Sequence, residues 1–163
     1  MIKDVDVEAV STESFSFFGL LCEVGSMLPV ATERPELKAW VEMKHMPIFP
    51  PEGLRVDTLE RHRFDSQTFV PVAGEDYIAV VCPKTVDGAP DVSAARAFRI
   101  PGGTAMQYHR DVWHAHMSVV HGTGLMAVIM KRDFSDADCE FHSLNENAIA
   151  VWLNGHLPRG DKK

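Results

Sequence analysis

At 163 residues the chain has the length of one domain, 1–163, and is large enough to bury a real core. Its 45% hydrophobic and 24% charged content is that of an ordinary globular protein. A formal net charge of −7 argues against nucleic acid or an anionic membrane surface as partner, because both select basic faces, but leaves room for a small anionic substrate held by a local positive site.

The opening Met1-Ile2-Lys3-Asp4-Val5-Asp6 has no signal-peptide core. No apolar run reaches the roughly 18 residues of a membrane span, so the expected location is the cytoplasm. Cys22, Cys82 and Cys139 are odd in number, widely spaced and without a CxxC, and read as idle thiols in a reducing compartment. Ser11 caps a short helix running to Phe18 and stopped by Gly19, with Phe15 and Phe18 on its buried side. Pro29 to Pro51 is irregular apart from a short helix at Pro35–Trp40. From Leu54 onward the pattern is mostly strand.

Tyr77 to Cys82 is a continuous apolar run between Gly74 and Pro83, as a strand covered on both faces requires. Asp87-Gly88 marks a turn, and Arg96 to Ile100 is a short strand stopped by Pro101-Gly102-Gly103. His114–Val120 and Leu125–Lys131 flank His121-Gly122-Thr123-Gly124 and read as a hairpin. Met106, Met117, Met126 and Met130 fall within strands as core filling. Asp138–His142 is a last strand, and Asn145 caps a terminal helix through Leu153 that ends at Gly155. Short strands at close spacing, framed by small helices, indicate a sandwich or barrel whose mouth takes a ligand.

Two stretches carry the chemistry. With 58–63 extended, Glu60 and His62 point one way and Arg61 and Arg63 the other. Gln67 opens the next apolar run, and Gly74 fits the turn that closes it. Polar side chains facing the inside of a β protein need a partner or a job. Further on, Gln107-Tyr108-His109-Arg110-Asp111-Val112-Trp113-His114-Ala115-His116 brings His109 and His114 to the same kind of place. His45, His121, His142 and His156 lie outside both stretches and are expected on the surface.

The pattern from Glu60 through His62 and Gln67 to Gly74 resembles a degenerate first cupin motif. Glu60 stands where the first histidine would be, Gln67 where the acid would be, and His109 takes the place of the second motif's histidine. The strings Leu59-Glu60-Arg61-His62, Gln67-Thr68-Phe69-Val70-Pro71, Pro90-Asp91-Val92-Ser93, Arg96-Ala97-Phe98 and Tyr108-His109-Arg110-Asp111-Val112-Trp113-His114 resemble the ureidoglycolate lyase family. The likeness runs over residues 56–142, is weaker over 11–25, and is slight from Met27 to Pro51. It implies an all-β, cupin-like double-stranded β-helix (a jelly-roll barrel) with short flanking helices, assembled as a homodimer. It also implies an enzyme that splits ureidoglycolate into glyoxylate and urea. The competing readings are a non-catalytic cupin that binds a small metabolite, and a metal-dependent isomerase or lyase acting on a sugar or hydroxy acid.

Ureidoglycolate is a hemiaminal, so its cleavage needs a base for the hydroxyl proton, an acid for the departing nitrogen and a holder for the carboxylate. Glu60 is the candidate base or its orienter, and His114 the candidate acid. Gln67, Trp113, Arg132 and Lys44 are candidate substrate-binding residues, the last two for the carboxylate. His62, His109, Glu60 and Gln67 form the candidate set for a weak or optional divalent metal, nickel or manganese. His114 and His116 lie two apart and are expected on one strand face, His114 catalytic and His116 supporting or buried. On that reading His114→Asn lowers turnover and spares the melting temperature, whereas His116→Asn does the reverse.

Overall fold

Alternation of valine with acids begins at once. In β1 (Lys3–Ala9) Val5 is buried between exposed Asp4 and Asp6 in a computed structural model that describes residues 1–153. Gly155 and His156, named above, lie outside those residues. Ser11 caps α1 (Thr12–Phe15) through a capping box with Ser14; the helix is a single turn, and Phe15 and Phe18 are both buried as expected. The chain then enters β2 (Gly19–Cys22) and, after the proline-rich stretch, β3 (Ala39–His45). β4 (Leu54–Val56), β5 (Thr58–Arg61), β6 (Gln67–Pro71) and β7 (Tyr77–Cys82) follow. β8 (Arg96–Ile100), β9 (Ala105–Tyr108), β10 (Trp113–His114) and β11 (Ser118–Val119) come next, and β12 (Leu125–Lys131), β13 (Glu140–Ser143) and β14 (Ile149–Trp152) complete the set.

The strands make two sheets. The larger runs β13-β5-β10-β7-β8-β1-β14-β4, with β11 also on β7; the smaller runs β2-β9-β6-β12-β3. They curl around a shared core in which Phe69, Met106 and Met126 of the smaller sheet meet Tyr77, Phe98 and Ile100 of the larger. A second core, with Leu59, Ile78, Val80, Trp113 and Ile149, lies on the far face of the larger sheet. β7 therefore divides its side chains between two cores and is buried along all six positions, which is why its sequence is apolar without alternation. This is the all-β, cupin-like barrel architecture expected, and the four methionines assigned to the core are all buried.

Four local expectations are corrected. Pro35–Trp40 is not a helix: a turn closed by Leu37 N–H on the Arg34 carbonyl leads into β3, all seven residues of which are exposed. Residues 145–153 are not a helix either. A single 3-10 turn at Asn145–Asn147 precedes β14, whose Ile149 and Val151 are buried between β1 and β4. His114–Val120 is two short strands rather than one, and it does not form a hairpin with Leu125–Lys131. β10 and β11 pair with β7, while β12 pairs with β3 and β6 in the other sheet. The crossing depends on Gly124, at φ +68, where an added Cβ would sit 2.2 Å from the Met46 carbonyl oxygen.

Candidate active site

A cavity of about 400 Å³ opens beside β3, β5 and β12. Register decides what lies on its floor. β5 is flanked by β10 and β13, so Glu60 stands opposite His114 on one side and Phe141 on the other. His62 follows β5 directly, and Glu60 and His62 both line the cavity, as the two-residue period requires. Arg61 points the other way, packed 4.3 Å over the Trp113 ring and paired with Glu140. A buried cation–π contact of this kind is worth about 2 kcal/mol.

Backbone carbonyls fix both imidazoles. His62 Nδ1 lies 2.7 Å from the Asp138 carbonyl oxygen, and His114 Nδ1 2.9 Å from that of Val112. A carbonyl only accepts, so each Nδ1 carries a proton, and in each ring Nε2 is left without a backbone partner. Both Nε2 atoms are buried and lack a hydrogen-bond partner. Glu60 Oε1 is 3.3 Å from His114 Nε2, an ion-pair distance without hydrogen-bond alignment. Tyr108 stacks on His114 with ring centroids 4.1 Å apart and planes 21° from parallel, which leaves that ring little freedom.

Burial opposes charge on Glu60, but the His114 contact, reinforced by His62 and His116, outweighs it and holds the carboxyl down at about 2. Glu60 is thus an anion in any working buffer. Being depressed, it contributes stability above its unfolded value near 4.5 that is lost as pH falls toward 2. Burial and then the neighbouring His114 push the His62 imidazole below its ordinary 6.5, favouring its neutral form.

Ligand atoms of Glu60, His62 and His114 all lie within 4.8 Å of one another. Two orphaned imidazole nitrogens beside a carboxylate are donors that suit nickel, manganese or iron, so the residues fit a divalent ion. Gln67 adds a buried, unpartnered Oε1 at the same cavity. Arg132 and Lys44 lie on its wall, each 3.7 Å from Glu42.

Two expected members are absent from the site. His109 is replaced in it by His114: its Nε2 contacts the Ser16 carbonyl at 3.0 Å, in a separate depression with Phe17, Phe18 and Lys84. The left-handed turn at Asp111 (φ 65) lies between the two histidines and re-aims the chain. Trp113 precedes His114 on the strand and so faces the opposite way, into the second core, where its indole N–H donates to the Gly88 carbonyl at 3.0 Å. Trp113 cannot touch a ligand in the cavity.

His116 is exposed on the cavity wall rather than buried, because the strand breaks after His114. The expected variant behaviour changes accordingly. His114→Asn should cost stability as well as turnover, about 1–3 kcal/mol for a disrupted buried polar contact, read as a lower melting temperature by calorimetry. His116→Asn should leave the melting temperature nearly unchanged.

Cys139, read from the sequence as an idle thiol, lies at the cavity. Its Sγ lies 3.8 Å from Glu60 Oε2 at the cavity, and burial together with that carboxylate pushes the thiol up to about 12. It remains a neutral S–H donor. Nothing local in the sequence signals this contact, which exists because β13 pairs with β5.

Comparison with known proteins places these residues in context. The family model described as "Ureidoglycolate lyase" matches residues 26–151. A Pseudomonas putida protein named ureidoglycolate lyase is 31% identical over 176 aligned residues, covering 95% of this chain and 99% of the relative. Another so named, from Pseudomonas syringae pv. syringae, is 30% identical over 98% of this chain and all of the relative. A third, from Pseudomonas entomophila, is 31% identical over 95% and 99%. The family match takes in Glu60, His62, Gln67, His114 and Arg132 together with every strand around the cavity, and the relatives align nearly end to end: this chain belongs to the ureidoglycolate lyase family.

Proposed function

We propose that the chain is a ureidoglycolate lyase, releasing glyoxylate and urea, and that Glu60, His62 and His114 carry the reaction. The convergence of two buried, unpartnered imidazole nitrogens and an anionic carboxylate on one cavity floor supports this reading best. His62 Nε2, neutral and unpaired, takes the substrate's hydroxyl proton. The O–H electron pair becomes the glyoxylate carbonyl as the carbon–nitrogen bond breaks. The departing urea nitrogen gains a proton from the His114 side of the floor, where Glu60 steadies the imidazolium form. Glu60 acts as orienter rather than base, since a carboxyl held at about 2 accepts protons poorly. Arg132 and Lys44 hold the substrate carboxylate, and Gln67 Oε1 accepts from a ureido N–H.

Nickel or manganese, if bound, would be held by Glu60, His62 and His114 with Gln67 alongside, and would supply polarisation of a substrate oxygen. The competing metabolite-binder and isomerase readings are not favoured, because the matched relatives carry the lyase name. A homodimer belongs to the same proposal; the free edge strand β3, with Val41 and Met43 exposed, supports it. Sedimentation as a monomer at micromolar concentration would count against that assembly. A cytoplasmic location suits the three unbridged cysteines. Among the described residues no helix is long and apolar enough to cross a membrane.

The deciding assay is glyoxylate release from racemic ureidoglycolate, with and without added nickel or manganese. No glyoxylate under either condition overturns the reading. The pH profile is expected to follow His62. Activity needs its neutral form, so the acid limb of kcat/KM should fall below pH 6.5, and stability should decline over the same window because folding disfavours the proton. An acid limb centred above 7 would remove His62 from the base role.

A further inference from the structure

Residues 132–139 join β12 to β13, and this short connection brings Arg132, Phe134 and Cys139 to the cavity. Its backbone is constrained. Phe134 is left-handed, at φ 62, and a 3-10 turn follows at Asp136–Asp138. A bulky residue in the left-handed region persists only where its surroundings hold it there.

The bonds that hold it converge on one side chain. The Asp138 carboxylate, 2% exposed, accepts the Phe134 N–H at 2.7 Å and an Arg34 N–H at 2.8 Å. The Asp133 N–H also reaches it, at 3.4 Å. Arg132 Nε, shielded from solvent and without a hydrogen-bond partner, lies 3.7 Å from Asp138 Oδ2. The same guanidinium sits over the Phe134 ring, 5.0 Å from its centroid. Asp138 therefore sets both the cation and the ring it rests on. Glu42 is as close to Arg132, also 3.7 Å, but it is 49% exposed, and solvent-screened pairs of that kind fix little. Meanwhile the Asp138 carbonyl accepts from His62 Nδ1 at 2.7 Å. One residue touches the floor through its main chain and the wall through its side chain.

We infer that Asp138 is a positioning residue, its carboxylate fixing Arg132 and the turn that carries it where Arg132 meets the substrate carboxylate. The inference rests on the lyase reading and on Arg132 as a holder of that carboxylate. The groups bonded to the Asp138 carboxylate are donors, so an asparagine there must turn its NH2 toward Arg34 or toward the Phe134 N–H. The carbonyl bond to His62 belongs to the backbone and survives the substitution. The expected signature is a change in KM with little change in kcat.

The test compares Asp138→Asn with Asp65→Asn in steady-state glyoxylate release and calorimetry. Asp65 is also buried and also bonds to Arg34, but its other partner is Thr32. Both variants are expected to melt at lower temperature. Only Asp138→Asn is expected to raise KM for ureidoglycolate, by about tenfold, with kcat within about threefold of wild type. Arg132→Ala should raise KM by about tenfold or more, and adding Asp138→Asn to it should cost less than about twofold further. The inference is overturned if the two asparagine variants raise KM equally, or if Asp138→Asn lowers kcat and leaves KM unchanged. It is equally overturned if the effect of Asp138→Asn on KM persists in full beside Arg132→Ala. Should Asp138→Asn not fold, Phe134→Ala decides, since that side chain is 62% exposed and its loss leaves the core intact. KM should then rise by about threefold or more, and an unchanged KM overturns the inference. Failure of the underlying reading looks different: wild-type protein releases no glyoxylate, or Arg132→Ala leaves KM unchanged.

Discussion

Glu60→Gln is expected to lower kcat by about 10²-fold or more, and to lower the melting temperature as well, because the depressed carboxylate contributes stability at neutral pH. The amide keeps the shape of the carboxylate but removes the negative charge that lies against both imidazoles. Without it His114 loses the anion that lies 3.3 Å from Nε2, and the His62–His114 pair, with ring centroids 5.6 Å apart, is left to repel any shared proton. The Cys139 thiol, which donates toward the carboxylate at 3.8 Å, loses an anionic acceptor as well. KM should change less than kcat if, as proposed, Arg132 and Lys44 hold the substrate carboxylate. Steady-state glyoxylate release checks this, and a variant retaining more than about a tenth of wild-type kcat would show that the carboxylate is scaffold.

Arg34→Ala should be the most damaging change away from the cavity. The guanidinium is bonded to Asp65 and, at 2.8 Å, to Asp138; those carboxylates are 0% and 2% exposed. Removing the cation strands two charges inside the protein, which costs about 3–5 kcal/mol. At about 2–4 °C per kcal/mol for a chain of this size, the melting temperature should fall by roughly 6–20 °C. Activity should suffer too, because the Asp138 carbonyl accepts the His62 Nδ1–H. A shift below about 2 °C in calorimetry would mean that Asp65 and Asp138 are satisfied without Arg34.

Strands that announce themselves by burial were legible in the sequence. β7 is apolar throughout because both faces are covered, and β6, β8 and β12 are bounded by clear turn residues. β3 was not legible, since an edge strand exposed on both faces has no hydrophobic period to read. β14 was misread because a short apolar run behind a capping asparagine fits helix and strand equally. β1 was not read as a strand, although its Val5 and Val7 alternate with acids. Glu60, His62 and Gln67 line one cavity because local period and one turn bring them together. Choosing between His109 and His114 depended on the backbone turn at Asp111, and the stacking of Tyr108 on His114 depended on packing between sheets. Neither is written in residue spacing.

The place of β1 has a consequence for how the protein is made. It lies parallel between β8 and β14, with Lys3 opposite Ile149 and Val7 opposite Ala97. A strand that emerges early on the ribosome must therefore wait for partners synthesised near the other end. Closing such long loops before any contact rewards them is slow, and folding on the millisecond-to-second scale typical of non-local β proteins is expected. During that delay the bare edges of β1 and β8 are open to pairing with other nascent chains.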